Sequence, residues 1–301
     1  MIALPALALA PAAEAWLARS TTARVLNVFD RACNLVNSQG EVLAIVTTER
    51  GLTPFALVVS ASDHSPFRLV TEASEIHVRT GSLQVGQYEI DVTAARLWNP
   101  VPDWPALRRL FTDAARLDEL AALASGAGPA GSLLELFETA RLAASPPGAL
   151  NSRLRQGALD LVDGLWLGLI ETAIMGAGRL AGLGGGLTPA GDDFILGVIL
   201  AAWAGLYGAG AERQAGQLAE VAAPRTTTLS AAYLRAAVRG ECSAYWHRVF
   251  TAQLQANVVE LRQSLSTLLA VGHTSGADAL AGFLALRLAA LAPGRQRTTH
   301  I

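Results

Sequence analysis

The sequence predicts an α+β chain: a small β barrel or sandwich over residues 1–100, then a mostly α-helical domain over residues 101–301. Three observations carry that expectation. Short β-branched-rich segments separated by turn signals fill the stretch from about Arg24 to Trp98. Three prolines then crowd into Asn99-Pro-Val-Pro-Asp-Trp-Pro105, which reads as a linker. Beyond it, apolar residues recur at helical spacing almost to the end of the chain.

Taken in order, Val25–Phe29, Glu41–Thr47, Pro54–Val59 and Glu75–Arg79 are strands, parted by turns such as Ser38-Gln-Gly40 and Glu49-Arg-Gly51. Gln84–Asp91 adds two shorter alternating pieces around Gly86. Leu107–Ala124 and Leu133–Ala144 are amphipathic, and Pro146-Pro-Gly148 breaks the chain after them. A long helix is expected over Leu154–Leu180, followed by helices over 192–208, 211–222, 228–240, 243–270 and 276–291. The tail from Gly294 is expected to fray.

Composition narrows the function. Of 301 residues, 51% are hydrophobic and 16% charged, enough apolar side chain for a large core and against wholesale disorder. A net charge of −2 offers no basic field for nucleic acid and no polybasic patch for a membrane. All 23 basic residues are arginine. A Schiff-base lysine and a Walker-type phosphate loop are therefore excluded. Cys33 and Cys242 form no ligand-spaced cluster, which argues against structural zinc and a disulfide framework. Met1–Ala13 is apolar without the basic n-region of a signal peptide, so a cytoplasmic protein is expected. The apolar run Phe194–Gly210 is short for a membrane span and reads as a buried core helix.

One pattern occurs twice. Gly182-Leu-Gly-Gly-Gly-Leu-Thr-Pro-Ala-Gly-Asp-Asp193 and Gly272-His-Thr-Ser-Gly-Ala-Asp278 each run Gly-x-Thr, small residues, Gly-x-Asp, and a closing glycine at Gly197 or Gly282. A glycine-rich loop feeding a helix N-terminus is an anion site, because free N–H groups and the positive end of the helix dipole point the same way. The bland alternative is an ordinary cap. Thr188-Pro189 fits an N-cap with proline at the first helical position, and Ser275-x-x-Asp278 resembles a capping box. The consecutive Gly184, Gly185 and Gly186 exceed what a cap needs and suit close approach of backbone to ligand. Asp192 and Asp193 either orient the loop or hold a divalent ion, with Mg2+ the one cofactor expected and no nucleotide or organic cofactor. His273 is the one histidine inside a motif, an acid/base candidate if it is not structural. A third patch, Arg225-Thr-Thr-Thr-Leu-Ser230, presents a cation and the hydroxyls of Thr226, Thr227 and Ser230, suited to an anion or to a cap. In the β region Asn34 either bonds backbone or lines the pocket. Gly176-Ala-Gly-Arg-Leu-Ala181 matches a dinucleotide fingerprint, but it follows a helical pattern rather than a strand.

These segments together resemble the AllH-type family. The likeness rests on Gly182–Phe194, the Thr226–Ser230 patch and Gly272–Asp278, with Asn27–Leu35 and Gly51-Leu-Thr-Pro-Phe55 in the N-terminal part. Gly185 departs from the proline expected there, which loosens the loop without removing side-chain chemistry. The resemblance implies purine (allantoin) catabolism and a part in oxamate carbamoyltransferase, which converts oxalurate and phosphate into oxamate and carbamoyl phosphate. It also implies other, different subunits.

Two hypotheses stand. In the first the chain is an enzyme component that binds phosphate, carbamoyl phosphate, oxamate or oxalurate between the β domain and the helical motifs. Gly184–Gly186, Thr188, Gly191, Thr274, Ser275 and Asp278 hold the anion, with Asn34, Arg225, Thr226, Thr227 and Ser230 supporting. His273, Asp192 and Asp193 are the catalytic candidates, working by position and charge. In the second the chain is a non-catalytic scaffold or regulatory subunit, or a metabolite sensor, and the loops are caps.

Overall fold

Nine strands form the sheet of the N-terminal unit in the computed structural model, which describes residues 1–61, 66–135, 149–206 and 210–291. They are β1 (Ile2–Leu9), β2 (Ala23–Phe29), β3 (Ala32–Asn37), β4 (Val42–Thr47), β5 (Ala56–Val59), β6 (Ile76–Arg79), β7 (Ser82–Val85), β8 (Tyr88–Asp91) and β9 (Arg96–Leu97). Helix α1 (Pro11–Arg19) lies between β1 and β2 in sequence. The strand order is β2-β3-β4-β5-β1-β8-β7-β6, with β9 also on β1. The end strands β2 and β6 come into contact, so the sheet curls almost closed into a barrel. This unit comprises Met1–Pro100 together with Cys242–Ala244.

The strand that joins the two halves was hidden in the sequence. β1 pairs antiparallel with β5, parallel with β8 through Ile2–Pro5, and parallel with β9 through Ala8 and Leu9. Its Ala- and Leu-rich composition favours helix locally, and non-local pairing overrides that preference. β3 was equally unmarked, since Asn34 and Asn37 interrupt its apolar run, yet it pairs with both β2 and β4. Trp16 of α1 is buried against the barrel core of Val25, Leu35, Leu43, Ile45, Leu57, Leu83 and Ile90, and its Nε1 donates to the Glu41 carbonyl at 3.0 Å. Such burial contributes about 2 kcal/mol for each large side chain.

The second unit comprises Val101–Glu241 and Tyr245–Ile301, and its described regular structure is helical. Its helices are α2 (Trp104–Leu110), α3 (Ala114–Ala124), α4 (Ala149–Leu167), α5 (Ile170–Leu180), α6 (Ala190–Ala201), α7 (Ala211–Ala222), α8 (Thr228–Val238), α9 (Ala244–Leu254), α10 (Val258–Leu269) and α11 (Ser275–Leu291). The last residues of the linker are in fact a helix start: Asp103 caps α2 through the Ala106 N–H, with Pro105 in its first turn. Three expected long helices are each two. Asp113 caps α3 after α2 has ended, Gly168 at φ 76° separates α4 from α5, and Ala256 at φ 52° with Asn257 as N-cap separates α9 from α10. Helix α6 runs on as a π turn over Ala202–Leu206 that kinks at Gly205. The breaker Pro146–Gly148, the tail from Gly294 and most of the expected helix over 133–144 lie outside the described residues. An aromatic cluster of Trp104, Phe111, Trp203, Trp246, Phe250 and Phe283 fills the core, and the indoles of Trp104 and Trp203 donate to the Gly240 and Ala237 carbonyls. No helix among the described residues is long and apolar enough to cross a membrane.

Candidate functional site

Each copy of the repeated pattern is the turn of a helical hairpin, and the two hairpins pack on one another reciprocally. Helices α6 and α11 cross at their closing glycines. A Cβ on Gly197 would fall inside the backbone of Ala279 and Phe283, and one on Gly282 would fall inside the backbone of Phe194. Phe194 and Ala279 follow the motif aspartates Asp193 and Asp278, so equivalent positions meet equivalent positions, as across a local two-fold axis. The entry glycines match as well. Gly191 abuts the carbonyl of Leu180 at the end of α5, and Gly276 abuts that of Leu268 near the end of α10. This packing brings the two loops together, and the Thr188 and Ser275 hydroxyls sit 2.8 Å apart.

The first loop is built around Asp192. Its carboxylate, in a residue 1% exposed, accepts the Gly182 N–H at 3.0 Å and the Thr226 hydroxyl. Thr227 caps α8 through the Ser230 N–H and donates to the Leu187 carbonyl at 2.5 Å. Thr226 and Thr227 thereby tie the third patch to the loop. Burial raises the Asp192 pKa above the ordinary carboxylate value, against hydrogen bonds from Thr226, Gly182 and Ser230 that lower it. Thr188 is not the helix cap. Pro189 takes that place in an extended conformation, its carbonyl accepts the Asp192 and Asp193 N–H groups, and the Thr188 side chain is free for Ser275. The Gly191 N–H is spent on the Leu183 carbonyl. Gly184, Gly185 and Gly186 are exposed, and their N–H groups donate to no acceptor among the described residues. Gly184 has φ 124° and Gly186 φ 85°, and a Cβ on Gly184 would also stand 2.7 Å from the Ala190 nitrogen, so no other residue fits there.

Asp193 and Asp278 lie where the hairpins meet. They are 6% and 0% exposed. The Ser275 and Thr188 hydroxyls hydrogen-bond Asp193, while Asp278 accepts the Leu133 N–H at 2.6 Å and is hydrogen-bonded by Thr274. Oδ2 of each has no partner among the described residues. Burial pushes the Asp193 carboxyl well above its usual value, with the charge of Asp278 and then of Asp192 adding to the rise, against the Ser275 and Thr188 hydrogen bonds. Burial likewise raises Asp278, opposed by the Leu133 and Thr274 hydrogen bonds.

The remaining expected residues have surroundings of their own. His273 is exposed in the second turn. Arg225 is exposed, and its guanidinium folds back onto the Val221 carbonyl. Asn34 belongs to the β unit, where its amide donates to Asn27 Oδ1 at 2.6 Å across the β2–β3 ladder. The Gly176–Ala181 fingerprint lies within helical structure, with Gly176 packed against Leu161 and Gly157, so it serves helix contact. Among the described residues no group of three or more His, Cys, Asp or Glu side chains is placed to hold a metal. Sequence reading missed the Leu133 N–H and buried Ser132, which no motif marks.

Two family models match the chain. Residues 6–97 match the AllH family N-terminal domain, and residues 180–286 match oxamate carbamoyltransferase subunit AllH. The second span contains all three motif patches. No solved structure matches the chain.

Proposed function

This chain belongs to the AllH family, and on that premise we propose that it is the subunit of an oxamate carbamoyltransferase-like enzyme that holds the anionic end of the substrate. The family is that of an oxamate carbamoyltransferase subunit, so other subunits complete the enzyme. In the proposed reaction the carbamoyl group of oxalurate passes from nitrogen to a phosphate oxygen, and the freed nitrogen takes up a proton, giving carbamoyl phosphate and oxamate. The observation that carries the anion reading is the exposed loop Gly184–Gly186, whose N–H groups meet no acceptor among the described residues, beside two helix N-termini that converge through Thr188 and Ser275. The ligand is phosphate, carbamoyl phosphate, oxamate or oxalurate. Thr188, Thr274 and Ser275 supply hydroxyls, His273 a donor or acid/base, and Arg225, next to Thr226, the charge partner. Catalysis in this reading is positioning and charge stabilisation. No nucleotide or organic cofactor, nucleic acid or membrane enters the proposal.

A second reading has its own support: Asp192, Thr227 and Asp278 each accept a backbone N–H of the same chain. That is what caps in a non-catalytic scaffold or sensor would do. The test is reconstitution of the assembled enzyme with this chain carrying Gly185→Asp, which puts a like charge in the anion loop where a Cβ meets nothing within 4 Å. The anion reading expects carbamoyl phosphate formation to fall with a raised KM for phosphate and the assembly intact. Unchanged kinetics support the scaffold.

A further inference from the structure

The hairpin crossing contains two buried carboxylates with no cationic partner among the described residues. Asp193 and Asp278 are 6% and 0% exposed, and each has one oxygen, Oδ2, without a hydrogen-bond partner among the described residues. Among the described residues the groups acting on them are hydroxyls, a backbone N–H and other carboxylates, with no arginine. A buried pair of like charges is costly unless a proton or a cation joins it. Two carboxylate oxygens with hydroxyls close by are a hard-oxygen set, suited to Mg2+, Mn2+ or Ca2+ rather than to zinc or copper.

Asp192 is differently placed. Both of its oxygens are engaged, one by Gly182 and one by Thr226, so the adjacent pair Asp192–Asp193 has a single oxygen to spare while the pair across the crossing has two. Thr188, Thr274 and Ser275, whose hydroxyls hydrogen-bond this pair, are each half-buried.

We infer that Asp193 and Asp278, one from each copy of the repeat, bind a single hard divalent cation through their free oxygens. This goes beyond the anion reading and does not depend on it. The cation fixes the crossing of α6 and α11, with water and the neighbouring hydroxyls completing its shell.

The test titrates Mg2+ and, separately, Mn2+ into the full chain in phosphate-free buffer at constant ionic strength. Calorimetry and Mn2+ electron paramagnetic resonance are the readouts. One site per chain is expected. Asp193→Asn and Asp278→Asn should each weaken it by more than about tenfold. Asn retains the Oδ1 acceptor that Asp278 uses for Leu133, so the fold should hold, and circular dichroism checks it. Asp192→Asn should keep binding. No binding by the wild-type chain at millimolar metal, which needs no variant to interpret, overturns the inference. So does a site lost in Asp192→Asn and kept in Asp278→Asn. Because no anion is present, neither result bears on the anion reading.

Discussion

The two copies of the repeat share a frame and differ in their loops. Both have an entry glycine against the end of the preceding helix, an aspartate in the first turn and a closing glycine in the helix crossing. The first copy adds a triple-glycine loop, with Asp192 and two threonines holding it in place. The second has a short turn bearing His273, and its aspartate caps the Leu133 segment. The frame is what two packed hairpins need. The loop, where the copies part, is where the proposed anion site falls.

The largest expected effect tests the frame. Gly197→Ala or Gly282→Ala forces a methyl into opposing backbone and should cost about 3 kcal/mol in urea unfolding. Gly185→Ala, with open space around its Cβ, should change stability by less than about 0.5 kcal/mol. Equal losses at all three would break the distinction between frame and loop.

Next come the aspartates. Asp192→Ala leaves the Gly182 N–H and Thr226 without an acceptor and should cost about 1–3 kcal/mol. Asp193→Asn should be nearly neutral, with a pH signature. Because the folded-state pKa of Asp193 is raised, the folded chain holds a proton that the unfolded chain has released between the ordinary carboxylate value and the raised one. Stability from this group therefore falls as pH rises through that window, and the loss is complete above it. In metal-free buffer the Asn variant should gain on the wild type over the same window. Parallel stability–pH curves would contradict this.

Two smaller effects sharpen the comparison. A double-mutant cycle of Thr188→Ala and Ser275→Ala should show coupling of about 0.5–1 kcal/mol, since the two hydroxyls bond each other across the copies. His273→Ala, exposed, should leave the melting point unmoved, so that any loss it causes in the assembled enzyme reports chemistry.

Much of this was legible because it is written in short-range signals. The glycines, Asp193 and Asp278 at equal spacing announced a repeat, and Thr226 and Thr227 announced a cap that also reaches Leu187 and Asp192. β1 was not legible, because an Ala- and Leu-rich segment becomes a strand only through partners far along the chain. The break at Ala256 was hidden for the opposite reason: a single positive φ at an alanine, followed by an Asn cap, ends a helix without glycine or proline. The Leu133 N–H on Asp278 spans 145 residues and leaves no local trace.

The central claim is that the divergent loop of the first copy is an anion site within this chain. Its most direct test is a thermal-shift titration of the purified protein with phosphate, carbamoyl phosphate, oxamate and oxalurate, each with and without Mg2+. One of them should raise the midpoint, by the equivalent of about 2.7 kcal/mol at a hundred times its dissociation constant. That shift should disappear in Gly185→Asp. No shift with any of the four, in either buffer, would contradict the claim and favour the scaffold reading.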